Sequence, residues 1–362
     1  MRIGLLIYGD ISTLSGGYLY NRKLVAYLRN QGDHVEIISL PTRGFWRHLN
    51  DNFNKDLFKQ IVDAQLDILI EDAMVHPSVF LLNKRLVRAI NIPIVTLVHL
   101  LSSFEQNSWY SAWLYRAIER RYLKSVTGMI VNSHTTLTQL HTLMPSGLPR
   151  SCLAVPAGDN FPDVIVDIDR IKHRVLTPGA LKILWVGNVI RRKGLHILIK
   201  ALCQLPEEFQ VTIAGRLGME PAYVKQMQQL IQKADLQDRV IFMGPVEGRA
   251  LAELYQDHHL MVLPSSYESY GIVYVEAQQF GLPVIGTTAG AAQEIIYPGE
   301  NGYLIDPNDA KALAKLLTEL QQDRMLLLQL SRKALASYHR YPCWAESCAI
   351  IREYLSSAIA DQ

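Results

Sequence analysis

The sequence predicts an α/β chain built as two doubly wound, parallel-sheet domains. Three observations predict it. Short apolar runs rich in Ile, Val and Leu alternate with segments of helical spacing, and the alternation runs twice along the 362 residues. Most of these runs are continuously apolar, as strands buried on both faces are. Between the two sets lies 160–180, NFPDVIVDIDRIKHRVLTPGA, which mixes charges with two prolines and a Pro-Gly and shows no clean period.

The first set of strands falls at 3–8, 34–40, 67–72, 92–100, 128–133 and 152–158, with helical spacing over 20–31. The second falls at 181–188, 209–215, 239–246, 259–266, 282–288 and 301–307, with helical spacing over 195–205. The segment 310–356 reads as helices only. The expected domains are 1–170 and 171–343.

Composition narrows the function. At 49% hydrophobic and 19% charged residues the chain is not a disordered one. Its 36 Lys and Arg against 34 Asp and Glu leave a net charge of +2, too weak a field for a nucleic-acid partner. Cys152, Cys203, Cys343 and Cys348 form no C-x-x-C, which argues against structural zinc and a disulfide framework and for a reducing compartment. The apolar run near the N-terminus is too short for a signal-peptide core, and no apolar stretch approaches the roughly 18 residues of a spanning helix. A cytoplasmic chain is expected, resting at most on a membrane surface.

Ligands of open α/β sheets sit beyond the carboxyl ends of the strands, so the residues there are the candidates. The richest block is 264–285, PSSYESYGIVYVEAQQFGLPVI. A helix is expected from Ser269 or Tyr270 to Gly281. The amides of Ser269, Tyr270, Gly271, Ile272 and Val273 would crown it and, with the helix dipole, suit an anion. Glu276 would lie in the second turn, where a carboxylate accepts from a vicinal diol such as a ribose. Glu268 precedes the helix and would hold other hydroxyls, at most about 12 Å away. Two solvated carboxylates explain the spacing equally well.

The second block is 185–195, WVGNVIRRKGL. A glycine after a buried strand lets the chain turn, and Arg191, Arg192 and Lys193 could offset the charge of a diphosphate leaving group. A basic loop at a helix start is the alternative. The third is 14–20, LSGGYLY, where Gly16 and Gly17 permit close approach of a ligand. It is not G-x-G-x-x-G and carries no dinucleotide fingerprint. His99 ends the strand IVTLVHL, and Glu71, Asp72 and His76 follow another strand.

Glu268-x7-Glu276, followed by FGLPVIGTTAGAAQEII and GENGYLI, resembles the family 4 retaining glycosyltransferases, and the resemblance covers nearly the whole chain. It implies the GT-B fold, two facing Rossmann-like domains with the final helices, about 344–362, returning to the first. It implies a nucleoside-diphosphate sugar, UDP- or GDP-linked, as donor and an acceptor hydroxyl of a glycan or glycolipid. By the resemblance Glu276 binds ribose, Glu268 the donor sugar, and Gly16-Gly17 face the interdomain cleft. His99 takes the place of an active-site histidine that positions the sugar and the transition state. Lys193 matches the family lysine, whereas the family arginine falls on Asn188, which offers no charged fork. Either Arg191 or Arg192 substitutes, or the phosphate grip is weaker. Closure of the domains would exclude water.

A non-catalytic nucleotide-sugar binding module, favoured by Asn188, and a GT-B epimerase or phosphorylase are the rival readings. Asp167-Ile168-Asp169 has the form of a metal-binding D-x-D but lies in the expected linker, and His258-His259 has no carboxylate at ligand spacing. No metal or other cofactor is expected. Two segments suit anionic lipid headgroups. The first is 108–124, with Arg116, Arg120 and Lys124 on one helical row and Trp109 and Trp113 nearby; the second is 43–48, RGFWRH. A helix packed in the first domain with its arginines in solvent explains the same residues.

Overall fold

The computed structural model describes residues 1–105, 109–205 and 208–361, with the backbone alone for 105 and 109–112. It divides into two compact units, Met1–Pro156 with Trp344–Gln362, and Ala157–Cys343. The first holds β1 (Arg2–Tyr8), β2 (His34–Leu40), β3 (Ile68–Asp72), β4 (Ile94–Val98), β5 (Gly128–Val131) and β6 (Arg150–Leu153), in the order β2-β1-β3-β4-β5-β6. The second holds β7 (Leu181–Val186), β8 (Phe209–Ala214), β9 (Val240–Gly244), β10 (Leu260–Val262), β11 (Val284–Thr287) and β12 (Gly302–Ile305), in the order β12-β11-β10-β7-β8-β9. Every pairing is parallel. The residues of β3, β4 and β5 are buried throughout, which is why these runs carry no alternation. Strand β9 departs from that pattern. It is an edge strand, and Ile241 and Met243 are half exposed.

The strands at 92–100 and 259–266 shorten to β4 and the three-residue β10, because the chain leaves each sheet to form a loop. The segment 160–180 is not an unstructured linker. It contains the helix Ile168–Leu176, whose N-cap Asp167 accepts from the Asp169 amide at 2.9 Å. The D-x-D is thus a helix start. Only Ile171 and Val175 of this nine-residue helix face the core, too few to print a period. It packs against the helix Arg324–Tyr338, and the unit boundary accordingly lies at Pro156 instead of 170.

The helix Trp344–Ala360 completes the first unit. Trp344 meets Tyr20 edge-on at 5.4 Å. The Tyr354 hydroxyl accepts from the Met129 amide at 3.0 Å and donates to the Arg150 carbonyl at 2.7 Å, fastening the helix to β5 and β6. Gly128 makes room for it, since a Cβ there would overlap that hydroxyl. No helix among the described residues is long and apolar enough to cross a membrane.

In the second unit Arg174 staples two helix ends. Its guanidinium donates to the carbonyls of Tyr255 and Gln256, closing the helix Gly248–Asp257, and to those of Phe280 and Gly281, beyond the helix Ile272–Gln279. Burial lowers its pKa to about 10, still far above neutrality. A cation is favoured at helix C-termini, where unpaired carbonyls concentrate negative charge. Replacing Arg174 by Ala strands those carbonyls and is expected to destabilise the second unit by about 3 kcal/mol. Arg174→Lys should recover only part, since one ammonium lacks the planar fork. Urea denaturation of the three proteins checks this, and an unshifted transition in Arg174→Ala contradicts the staple.

Candidate active site

In the second unit the chain winds outward in both directions from the adjacent pair β7 and β10, so their loops part and leave a crevice. The loop after β7 carries Gly187, Asn188 and a single 3-10 turn, Arg191–Lys193; the helix Leu195–Leu202 follows. Gly194 has φ +71°, and a Cβ there would fall on the Pro264 carbonyl oxygen. Only glycine allows this approach. It lets the Ser266 amide donate to the Arg192 carbonyl at 2.8 Å, tying the two loops together.

Across this join Lys193 Nζ lies 2.6 Å from Glu268 Oε1, and an Arg192 guanidinium nitrogen lies 3.6 Å from the same oxygen. Arg192 also donates to the Tyr267 carbonyl at 2.7 Å. Glu268 is 5% exposed. Burial pushes its carboxyl up, but Lys193, and after it Arg192, outweigh burial and hold it below the ordinary carboxylate range. Its carbonyl accepts from the Ala291 amide at 2.8 Å, so the loop after β11 runs along it. Arg191 takes no part in this cluster. Its guanidinium lies over the Tyr223 ring at 5.4 Å and bonds Gln226. Of the two arginines considered as substitutes, Arg192 is therefore the one beside Glu268.

The helix after β10 starts at Ile272, later than Ser269 or Tyr270, and ends at Gln279, before Gly281. The cause is Gly271, whose φ of +103° makes it the cap. Ile272 and Val273 head the helix and present first-turn amides. The Tyr270 side chain is buried, so that residue offers the site its backbone alone, and Ser269 is half-buried. Glu276 stands in the second turn, 5% exposed. Asn160 Nδ2 donates to its Oε1 at 2.5 Å and the Tyr255 hydroxyl to its Oε2 at 2.9 Å. Tyr255 is locked in turn by stacking on Phe280, with centroids 5.3 Å apart. Asn160 and Tyr255 thus fix the direction of both oxygens of Glu276. Asn188, at the end of β7, is half-exposed, and its carbonyl accepts from the Ile190 amide.

In the first unit the equivalent crevice opens between β1 and β3. Beyond these strands Asn21 Nδ2 donates to Asp72 Oδ2 at 2.9 Å, and its Oδ1 lies 3.0 Å from His99 Nε2. Asp72 accepts only, so it fixes the Asn21 amide, and the amide oxygen then places the imidazole proton on Nε2. His99 Nδ1 is left as the acceptor. Burial holds His99 below its ordinary value, partly opposed by Asp72 3.8 Å away, so the ring is neutral at pH 7. Asn132 fixes the backbone here by donating to the His99 carbonyl at 2.9 Å. Gly17 lies against the ring, where a Cβ would be 3.2 Å from His99 Cδ2, and Gly16 opens the helix Gly16–Asn30. Glu71 and His76 point inward and are fully buried, with Glu71 raised by burial to about 7 and His76 lowered by burial to about 4.

The structure thus brings Arg192, Lys193 and Glu268 together, sets Glu276 between Asn160 and Tyr255, and joins His99 to Asp72 through Asn21. Asn21, Asn160 and Tyr255 are absent from the sequence-based candidates. Asn21 alone had a signal, four residues after Gly17 on the same helix. His258 and His259 bond Thr212 and the Arg174 carbonyl within the core of the second unit. Among the described residues no group of three His, Cys, Asp or Glu side chains is placed to hold a metal.

Residues 167–337 match the family model of glycosyl transferases group 1. The D-inositol 3-phosphate glycosyltransferase of Xylanimonas cellulosilytica is 33% identical over 176 residues, 49% of this chain and 42% of that protein. The enzyme of the same name from an Arthrobacter species is 31% identical over 247 residues, 67% and 58% of the two chains. The chain thus spans about half the length of the curated relatives it matches. Among solved structures, sucrose-phosphate synthase of Thermosynechococcus elongatus superposes with a TM-score of 0.86 over 100% of both chains at 21% identity. Anabaena HepE, solved with UDP and glucose, gives 0.75 at 22% identity over 99% of this chain and 100% of its own. These likenesses establish the GT-B fold class.

The pair at Glu268 predicts a pH signature. A depressed carboxyl contributes stability that is full above its unfolded value, about 4.3, and lost as pH falls through the lower folded value. In Arg192→Ala/Lys193→Ala only the Ser265 hydrogen bond still opposes burial, the larger effect, and the folded value rises above the unfolded one. Stability then falls with rising pH in the window above about 4.3, where the native contribution is full and flat. Urea midpoints across about pH 4 to 7 check this, and parallel profiles for the two proteins contradict the pairing.

Proposed function

We propose that this chain, which belongs to the glycosyl transferases group 1 through residues 167–337, moves a hexose from a nucleoside-diphosphate sugar to an acceptor hydroxyl with retention at the anomeric carbon. The observation that carries the reading is the join of Lys193 and Arg192 to Glu268 at the β7/β10 crevice, with Glu276 in the following helix.

In this reading the diphosphate lies against Lys193, Arg192 and the amides of Ile272 and Val273, which offset the charge that grows as the anomeric C–O bond breaks. Lys193 Nζ can bridge a phosphate oxygen and Glu268, whose carboxylate takes hydroxyls of the sugar. Glu276, held in direction by Asn160 and Tyr255, accepts from the ribose diol. The acceptor oxygen bonds to the anomeric carbon, the diphosphate departs with the bond pair, and the acceptor proton passes to the departing phosphate oxygen. His99, neutral and with Nδ1 as acceptor, positions a sugar hydroxyl; Asn21 and Asp72 hold its tautomer.

The cations and amides take the role that a metal fills in other transferases, and we propose a metal-independent reaction. The D-x-D supports this, since Asp167 is spent on a helix cap. Arg192 beside Glu268 supports transfer over binding alone, because it restores the cation that Asn188 lacks. Uracil is the favoured base, in keeping with HepE, which was solved with UDP-glucose. A cytoplasmic site of action belongs to the same proposal, in keeping with four cysteines that form no C-x-x-C.

A thermal-shift screen of UDP-, GDP- and ADP-sugars should give stabilisation by one class. Glu276→Ala should weaken that donor about 100-fold through loss of two hydrogen bonds to a charged group. Hydrolysis of the donor by the native protein should release the sugar with its anomeric configuration unchanged in the first product. Native donor binding by Glu276→Ala overturns the site, and an inverted product overturns the mechanism.

A further inference from the structure

The first unit carries a surface that the transfer reaction does not use. Trp46, in the helix Phe45–Asp51, and Trp113, in the helix Trp109–Leu123, are each 70% exposed. Phe45 joins the two helices, lying 4.3 Å from the Tyr115 ring and 5.6 Å edge-on from Trp46. Phe53, 68% exposed, follows the first helix.

The charges around these rings are sorted. Each helix has one carboxylate, Asp51 and Glu119, and both are turned inward, at 4% and 3% exposure. Asp51 accepts from the Ser78 hydroxyl at 2.9 Å and pairs with His48 at 3.1 Å. Glu119 accepts from the Ser103 amide at 3.2 Å. The cations stay outside, with Arg47 and Arg116 exposed and Arg43 about half so. Solvated helix faces ordinarily interleave both signs; this one shows solvent tryptophan and arginine with every acid of the two helices withdrawn.

We infer that the exposed pairs of these two helices, Trp46 with Arg47 and Trp113 with Arg116, dock on a bilayer surface bearing anionic lipid headgroups. Indole rings settle at the boundary between headgroup and acyl chain, where one edge is apolar and the N–H is wet. Arginines beside them gain from the negative surface potential, which acts within a Debye length and so needs only a local patch. The whole-chain charge of +2 does not oppose this and gives no long-range field for a nucleic acid. Ser108 lies outside the described residues and the Trp109 side chain is not used. Of the expected helical row, Arg120 donates to the Leu143 carbonyl at 2.7 Å, which leaves Arg116 the cation nearest Trp113 in the helix.

Co-sedimentation of the full chain with vesicles tests the surface. Binding is expected to phosphatidylcholine vesicles containing about a third phosphatidylglycerol, to weaken with added salt, and to be far weaker on pure phosphatidylcholine. Arg47→Ala/Arg116→Ala should lower affinity about 30-fold. Trp46→Ser/Trp113→Ser should also lose binding, with brominated lipid ceasing to quench tryptophan emission. Both variants change exposed side chains, and unchanged near-UV circular dichroism and nucleotide-sugar thermal shifts confirm their folding. The proposal is overturned if the native chain ignores anionic vesicles, if both variants bind as it does, or if a single-stranded oligonucleotide binds the same residues more tightly than the vesicles do.

Discussion

A carboxylate taken out of water has to be met by opposite charge or by hydrogen-bond donors, and the second unit meets that requirement with charge at Glu268. Its two cations come from a different loop, reached across the join between β7 and β10. A parallel sheet delivers both loops to the same edge, and reversal of the winding direction opens a gap there. Gly194 then supplies the remaining ångström by letting one backbone touch the other at Pro264. A side chain at that position would push Lys193 away from its partner and leave a buried charge unmet. The catalytic reading therefore rests on a backbone contact as much as on the polar residues themselves.

Glu268 in the second unit and His99 in the first are met by different means. In the second, opposite charges lie within salt-bridge distance, and they hold the carboxyl below the ordinary carboxylate range. In the first, Asp72 acts on His99 through a neutral amide, so the imidazole keeps a defined tautomer without gaining a full counterion. One arrangement holds charge ready for a ligand that brings more charge. The other holds a hydrogen-bond acceptor in a set direction, which suits a hydroxyl.

Much of this was legible in the residues. The apolar runs located most strands of the described residues, because strands buried on both faces need no alternation to be seen, but the run at 152–158 meets β6 at Cys152 and Leu153 alone. Glu268, Glu276 and Lys193 stood out through glycine spacing and through the chemistry a diphosphate needs. Asn160 and Tyr255 left no trace, since they meet Glu276 only after 116 and 21 residues of chain have folded back. The helix Ile168–Leu176 stayed hidden because a short helix with two inward residues has less periodicity than its charges have noise. The helix carrying Glu276 began later than its composition suggested. Propensity cannot report that Gly271 takes a left-handed turn before it.

The helix Trp344–Ala360 gives the molecule an order in time. It closes the first unit through Tyr354, yet it is translated after every residue of the second. On a ribosome the second unit can assemble while the sheet begun with β1 still lacks the helix that covers β5 and β6. The first unit is thus a split domain holding the second as an insert. Its maturation waits for that helix, and a chain stalled before it would carry a finished second unit beside an unfinished first.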